Sequence, residues 1–212
     1  MVERQLRRRG IHDGRVLDAM KAVPRERFVP EPYARRAYAD SALPIGHDQT
    51  ISQPWIVAAI CQAMELGGDE KVLEVGTGSG YSAGVLALLV REVLTIERVP
   101  ELAERSRETL RDLGITNVEV VVGDGSAGMP DRAPFDGIAV HATAPVPPPT
   151  LIGQLRIGGR LVVPIASRTA DMLTVFRRLG EEVDATTGKG LEREIIGPCR
   201  FVPLIGSEGF SE

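Results

Sequence analysis

From residue 71 onward the chain switches repeatedly between two hydrophobic periods. Short runs rich in branched aliphatics, "KVLEV", "EVLTIE" and "VEVVVGD", predict strands. Between them "SAGVLALLV" and "PELAERSRETLRDL" predict helices, the second with one apolar face. "FDGIAVHA" and "GGRLVVPI" predict two more strands around a short helix, "TLIGQL". "MLTVFRRL" and "CRFVPLIG" predict two closing strands with no helix between them. Alternating strands and helices imply a parallel sheet with helices on both faces, and the closing pair implies an antiparallel edge. The expected fold class is therefore α/β, a doubly wound, mostly parallel sheet of seven strands.

Residues 1–70 have a different texture. Pro24, Pro30 and Pro32 break the first forty residues into short helices, and "RVLDAMKAV" sets Val16, Leu17, Met20 and Val23 on one helical face. "PWIVAAICQAMEL" predicts an apolar helix opening at Pro54, a position where a first turn tolerates proline. Between these lies "ALPIGHDQTISQPW", residues 42–55, with no charge run and no clean period. It is either a connector or the seat of the chemistry. No flexible linker separates the two parts, and 212 residues suit one domain. The expectation is a single domain over 1–212, with 1–70 as a helical cap packed on a 71–212 core.

Charge and composition remove some function classes. The net charge of -4 argues against a nucleic-acid partner. No run of 18 apolar residues exists, so no membrane span is expected, and "MVERQLRRRG" lacks the apolar core of a signal peptide. Its arginines read as a solvated helix face. Cys61 and Cys199 stand far apart, in no metal-ligand spacing, and read as reduced thiols. The expectation is a cytoplasmic, monomeric protein with no metal.

"EVGTGSGY" joins the first strand of the α/β unit to the following helix, where such folds bind nucleotide-like ligands. Gly76, Gly78 and Gly80, with Thr77 and Ser79 between, allow a sharp turn and a close backbone approach. The third glycine of the dinucleotide pattern is replaced by Tyr81. Glu74, two residues before the loop, would repel a diphosphate by about 4 kcal/mol per unit charge at ~4 Å and an effective dielectric of ~20. The ligand is then neutral or cationic at this point, which suits S-adenosylmethionine. Acid-x-G-x-G-x-G resembles the glycine motif of class I methyltransferases. Glu97, followed by Arg98, ends the second strand, where an acid would meet both ribose hydroxyls. Asp124 ends the third, where it would accept from the adenine amino group while Gly125 leaves room for the ring. Each has a plainer reading: a tight turn, a strand-end charge, an Asp-Gly turn.

"LPIGHDQTISQPWIVA" followed by "VLEVGTGSGYSAGVLA" resembles the protein-L-isoaspartate O-methyltransferase family. The likeness runs nearly end to end, through "VLDAMKAVPRERFVP", "VVVGDGSAG", "FDGIAVHATAP", "IGQLRIGGRLVVPI" and "CRFVPLIG". It implies methyl transfer from S-adenosylmethionine to the α-carboxylate of L-isoaspartyl residues in damaged proteins and peptides. It makes Ser52 the catalytic serine and sets Gln49, Thr50 and Ile51 beside the cofactor. His47, Thr50, Ala144, Val202 and Leu204 are the implied substrate contacts. Ser52 also reads as a helix N-cap, and His47 as an ordinary loop residue. Asp48 stands where the family often has glycine, Trp55 where it often has another aromatic, and His141 and Thr143 replace small residues. Asp48 is expected to point outward. Two other readings stay open: a methyltransferase acting on RNA or a small molecule, and a non-catalytic cofactor-binding adaptor.

Overall fold

The computed structural model describes residues 1–211. Its frame is one seven-stranded sheet. Strands β3 (Lys71–Val75), β4 (Glu92–Glu97), β5 (Val118–Val122), β6 (Phe135–Val140) and β7 (Leu155–Ile165) run parallel. β8 (Asp171–Arg178) and β9 (Leu191–Cys199) complete the sheet as an antiparallel edge. The spatial order is β5-β4-β3-β6-β7-β8-β9. Side chains alternate across the pleat, so neighbours in sequence serve opposite faces. Val72 and Val93 join the core cluster on one face, Leu73 and Leu94 the cluster on the other. Both faces are dry at the centre, which is why these strands read as apolar runs without alternation.

The chain runs outward from β3 through β4 to β5, then returns to lay β6 on the opposite side of β3. Strand order reverses there, opening a crevice at the carboxyl ends of β3 and β6. Helices α3 (Tyr81–Ala87) and α4 (Pro100–Asp112) follow β3 and β4, and the short α5 (Pro149–Gly153) precedes β7.

The N-terminal part packs as a cap. Helix α1 (Gly14–Ala22) begins at Asp13, whose carboxylate accepts from the N–H groups of Arg15 and Val16. Its buried residues Val16, Leu17, Ala19 and Met20 share one core cluster with α2 (Pro54–Ala63), α3 and the sheet residues Val72 and Val93. Arg9 is exposed as expected, but its guanidinium lies 4.6 Å over the Trp55 ring and pairs with Asp40.

The stretch 42–55, left open between connector and site, is a hairpin, β1 (Leu43–Gly46) paired with β2 (Gln49–Ile51). Its two-residue turn is His47–Asp48, with φ of 53° and 56°. A tight hairpin with positive φ at both turn positions normally uses Asn or Gly, so this pair hides the turn from a sequence reader. The last strand is not "CRFVPLIG" but the preceding "LEREIIGPC". Most of β9 is solvated edge, so charges interrupt its pattern, and residues 200–205 leave the sheet altogether.

Candidate active site

The crevice at the strand-order reversal holds a cavity of about 290 Å³. The glycine loop forms one wall. Gly76, Gly78 and Gly80 have φ of 90°, 53° and 88°, a conformation glycine adopts without strain. The N–H groups of Gly76 and Thr77 both donate to the Ile96 carbonyl, at 2.8 and 3.2 Å, tying the loop to β4. Gly76, Thr77, Gly78 and Ser79 all line the cavity.

Glu97 is at the end of β4 and is only 5% exposed, yet it faces the cavity. One carboxylate oxygen accepts from the Gly78 N–H at 2.8 Å and the other from the Val99 N–H at 2.9 Å. Each oxygen keeps a lone pair, enough for two vicinal hydroxyls. Arg98 lines the same wall. Gly125 lines it too, but the demand for glycine comes from behind. A Cβ there would stand 2.6 Å from Val75 Cγ1.

The hairpin supplies the opposite wall through Gln49, Thr50, Ile51 and Ser52. Helix α4 steadies it, because Arg105 donates to the Ile45 carbonyl. The N-cap of α2 is Gln53, without a side-chain cap bond, so Ser52 is not the cap. Its half-buried hydroxyl has no hydrogen-bond partner among the described residues and lines the cavity. Its carbonyl accepts from Arg25 at 2.7 Å.

The third wall is the segment after β9. Thr143 donates its N–H to the Val202 carbonyl and accepts from the Leu204 N–H, both at 2.8 Å. The Thr143 hydroxyl donates to Asp171 at 2.8 Å. Val202 and Leu204 are thereby held on the cavity.

Other expected residues lie elsewhere. Glu74 is wholly buried beneath the cavity and does not line it. One of its oxygens accepts from the Thr95 hydroxyl at 2.6 Å, and the other lies 3.3 Å from His141 Nε2. Gly80 is off the cavity. A Cβ there would meet Ser106 on α4 at 3.0 Å, so the glycine serves helix packing. His47 is exposed at the hairpin tip, and Ala144 is buried against Ile165. Neither lines the cavity. Asp48, expected to point away, is exposed on the cavity rim. Asp124 faces an adjoining recess of about 400 Å³ shared with Arg98. Its carboxylate accepts from the Ser126 N–H and hydroxyl at 2.9 and 2.6 Å and from the Ser207 N–H at 2.8 Å. Burial alone would raise this carboxyl, but the bonds from Ser126 and Ser207 outweigh it and hold it below its usual range.

Two further side chains are of consequence: His141, noted in the sequence only as a departure from the family, and Arg25, not singled out there. His141 shares the cavity wall with Phe201, its Nε2 lying 2.9 Å from Ser82 Oγ. Arg25 is fully buried and donates to the carbonyls of Ala37 and Ser52, each at 2.7 Å. Its guanidinium lies 4.6 Å over the Tyr81 ring, and burial lowers its pKa. Burial pushes the Tyr81 phenol up to about 12 and the Cys199 thiol up to about 11, and it raises Cys61 further still. None of the three is an anion at neutral pH. Among the described residues no group of three His, Cys, Asp or Glu could hold a metal ion.

This architecture has close counterparts. Residues 1–209 match the family model "Protein-L-isoaspartate(D-aspartate) O-methyltransferase (PCMT)". A protein-L-isoaspartate O-methyltransferase of Syntrophobacter fumaroxidans is 51% identical over 99% of this chain and 94% of its own. One of Magnetococcus marinus is 49% identical over 97% of this chain and 87% of its own. A solved protein-L-isoaspartate O-methyltransferase superposes with a TM-score of 0.84 at 28% identity, covering 98% of this chain and 67% of the other. A Plasmodium falciparum beta-aspartate methyltransferase in complex with S-adenosyl-L-homocysteine gives 0.79 at 25% identity, over 94% of both chains. With the glycine loop, the strand-end acid and the hairpin serine around one crevice, the chain belongs to the protein-L-isoaspartate(D-aspartate) O-methyltransferase family.

Proposed function

We propose that the cavity binds S-adenosylmethionine and that the chain methylates the α-carboxylate of L-isoaspartyl residues in damaged proteins and peptides. The observation that carries this reading is the unpartnered Ser52 hydroxyl on the same cavity as the glycine loop and Glu97. The donor set fits the cofactor. Glu97 keeps two lone pairs for the ribose hydroxyls, and the glycine loop lets backbone approach closely. The third glycine of the dinucleotide pattern is replaced by Tyr81, so a dinucleotide fits poorly. Arg98, Gly125, Gln49, Thr50 and Ile51 complete the cofactor contacts in this reading. Asp124 bounds the adjoining recess.

S-adenosylmethionine, when bound, supplies a methyl group activated by its sulfonium. The substrate carboxylate, with a pKa near ~4, is already the nucleophile at neutral pH. No general base is required, and the protein's task is orientation, which can supply roughly 7–11 kcal/mol at best. Ser52 donates to one carboxylate oxygen and leaves the other free to attack. Arg25 fixes the Ser52 main chain from behind. Thr50, Val202 and Leu204 hold the peptide at the rim, with Ala144 as support beneath. The amide nitrogen of the following residue then attacks the ester carbonyl and expels methanol to give a succinimide, which water opens in part to normal aspartate.

We read 1–212 as one domain, because cap and sheet share a core cluster. The two free thiols, Cys61 buried and Cys199 half-buried, agree with a cytoplasmic location, and we take the protein to act as a monomer without nucleic acid. No helix among the described residues is long and apolar enough to cross a membrane. The test uses labelled S-adenosylmethionine with paired peptides bearing isoaspartate or aspartate at one site. Base-labile label in the isoaspartyl peptide alone is expected. Label in RNA, or binding of cofactor without transfer, would overturn the reading.

A further inference from the structure

Glu74 is the acid of the glycine motif, yet His141 stands between it and the cavity. The carboxylate is fully buried, while the His141 side chain is 7% exposed and lines the cavity wall. One Glu74 oxygen is satisfied by Thr95. The other, Oε1, has no hydrogen bond in strict geometry, and His141 Nε2 lies 3.3 Å away. The same nitrogen is 2.9 Å from Ser82 Oγ. A lone pair on Nε2 would face a buried carboxylate oxygen, which is costly at low dielectric. The proton therefore sits on Nε2, 2.9 Å from Ser82 Oγ and 3.3 Å from the Glu74 oxygen. In the neutral ring Nδ1 is then an acceptor. Nδ1 has no partner among the described residues. Phe201 flanks the imidazole, with ring centroids 6.3 Å apart, and the Gly76 turn lies against the His141 main chain and Cβ.

We propose that His141 Nδ1 is a cofactor contact, accepting from the α-ammonium at the amino-acid end of S-adenosylmethionine. This rests on the cavity being the cofactor site. The placement follows from the sheet. Glu97 ends β4, His141 follows β6, and β3 lies between them. The two groups thus stand about two strand spacings apart, roughly 10 Å. With the ribose at Glu97, the amino-acid end reaches the β6 side. An Nδ1 lone pair on a ring backed by a buried carboxylate selects a cationic donor there over a carboxylate. Glu74 acts on the cofactor through the ring, which it holds and polarises, rather than by contact.

Calorimetry on the full chain with two ligands tests this. S-adenosylhomocysteine carries the amino-acid end, whereas methylthioadenosine keeps adenine and ribose but lacks it. His141→Phe is expected to weaken S-adenosylhomocysteine by about tenfold or more, the worth of one hydrogen bond to a charged group. Methylthioadenosine should change by less than about twofold, within the scatter of a distant, independent site. His141→Gln, which keeps a polar group beside Glu74, should show a smaller loss confined to the same ligand, and it decides the matter if the Phe variant does not fold. Equal weakening of both ligands would reduce His141 to packing, and an unchanged S-adenosylhomocysteine affinity would remove it from the site. Failure of the underlying reading looks different. Wild-type protein would then bind neither ligand, or Glu97→Ala would leave both affinities unchanged.

Discussion

At the scale of single residues, the proposed function divides the work between two side chains, Glu97 for the cofactor and Ser52 for the substrate. On that proposal Glu97→Ala removes the acceptor of two ribose hydroxyls, each worth about 1.5–3 kcal/mol when bonded to a carboxylate. Those bonds exist before and during transfer, so the loss should appear in the cofactor dissociation constant and not in turnover at saturation. Calorimetry with S-adenosylhomocysteine measures it, and unchanged affinity would remove Glu97 from the site. Ser52→Ala is its counterpart. Because Gln53 occupies the N-cap and the Ser52 hydroxyl has no partner among the described residues, stability should change by no more than about 0.5 kcal/mol. Single-turnover methyl transfer should fall by roughly 10²-fold, the lower end for one transition-state donor, because water can replace the hydroxyl at an open rim. Wild-type transfer in this variant would pass the orienting role to Thr50 or a backbone amide nearby. The place of Ser52 and Glu97 on the cavity was legible in the sequence, since each is fixed by its position in a motif. His141 and Glu74 were legible only in part. Local sequence shows an acid before a glycine loop, but not that a residue 67 positions later stands in front of it.

Among elements, the β1–β2 hairpin matters most, because it carries the rim and presents Ser52. Its turn places Asp48 at φ 56°, a conformation that glycine adopts without cost. The glycine common at this position in the family therefore has a backbone reason. Asp48 also sets a negative charge on the rim, where an anionic substrate must enter. Asp48→Gly relieves a left-handed conformation worth at most about 1–2 kcal/mol for an L-residue but adds about 0.4–1 kcal/mol of unfolded-state entropy, so hairpin stability should rise by no more than about 1 kcal/mol. It should also lower the KM for isoaspartyl peptide. Asp48→Asn separates the two effects, since it removes the charge and tolerates positive φ. A KM that falls equally in both variants, and less so at high salt, assigns the effect to charge. A KM unchanged in both would show that the carboxylate points away from the entering peptide. The hairpin was hard to read because strand alternation is lost over so few residues, and His47–Asp48 is a poor turn signal. β9 was misplaced for a related reason: a solvated edge strand has no apolar period to read. The central strands, dry on both faces, were plain.

Across the whole molecule, the mostly parallel sheet and its antiparallel edge were legible from the alternation of strands and helices, whereas the strand order and its reversal at β3 came only with the structure. The joint between cap and sheet was not legible either. Arg25 makes that joint. From the turn after α1 it reaches the Ala37 carbonyl in the cap, the Ser52 carbonyl beside the hairpin and the Tyr81 ring at the start of α3. It is fully buried, one guanidinium nitrogen has no hydrogen bond, and no carboxylate among the described residues lies within ion-pair distance. A buried cation without an anion is costly, and burial lowers its pKa accordingly. Such a group persists only if it satisfies something harder to satisfy otherwise, here two inward-facing carbonyls. Arg25→Met keeps the volume and the apolar stem but leaves both carbonyls unbonded. The expected loss is about 2–4 kcal/mol, less what is regained by no longer burying a charge. For a chain of this length each kcal/mol is worth roughly 2–4 °C in Tm. A thermal melt of Arg25→Met should therefore fall by about 5–15 °C. Near-wild-type melting would mean that the carbonyls find other donors. A melt that rises would mean that the buried charge costs more than its bonds return, and that the arginine is retained for the geometry it imposes on Ser52.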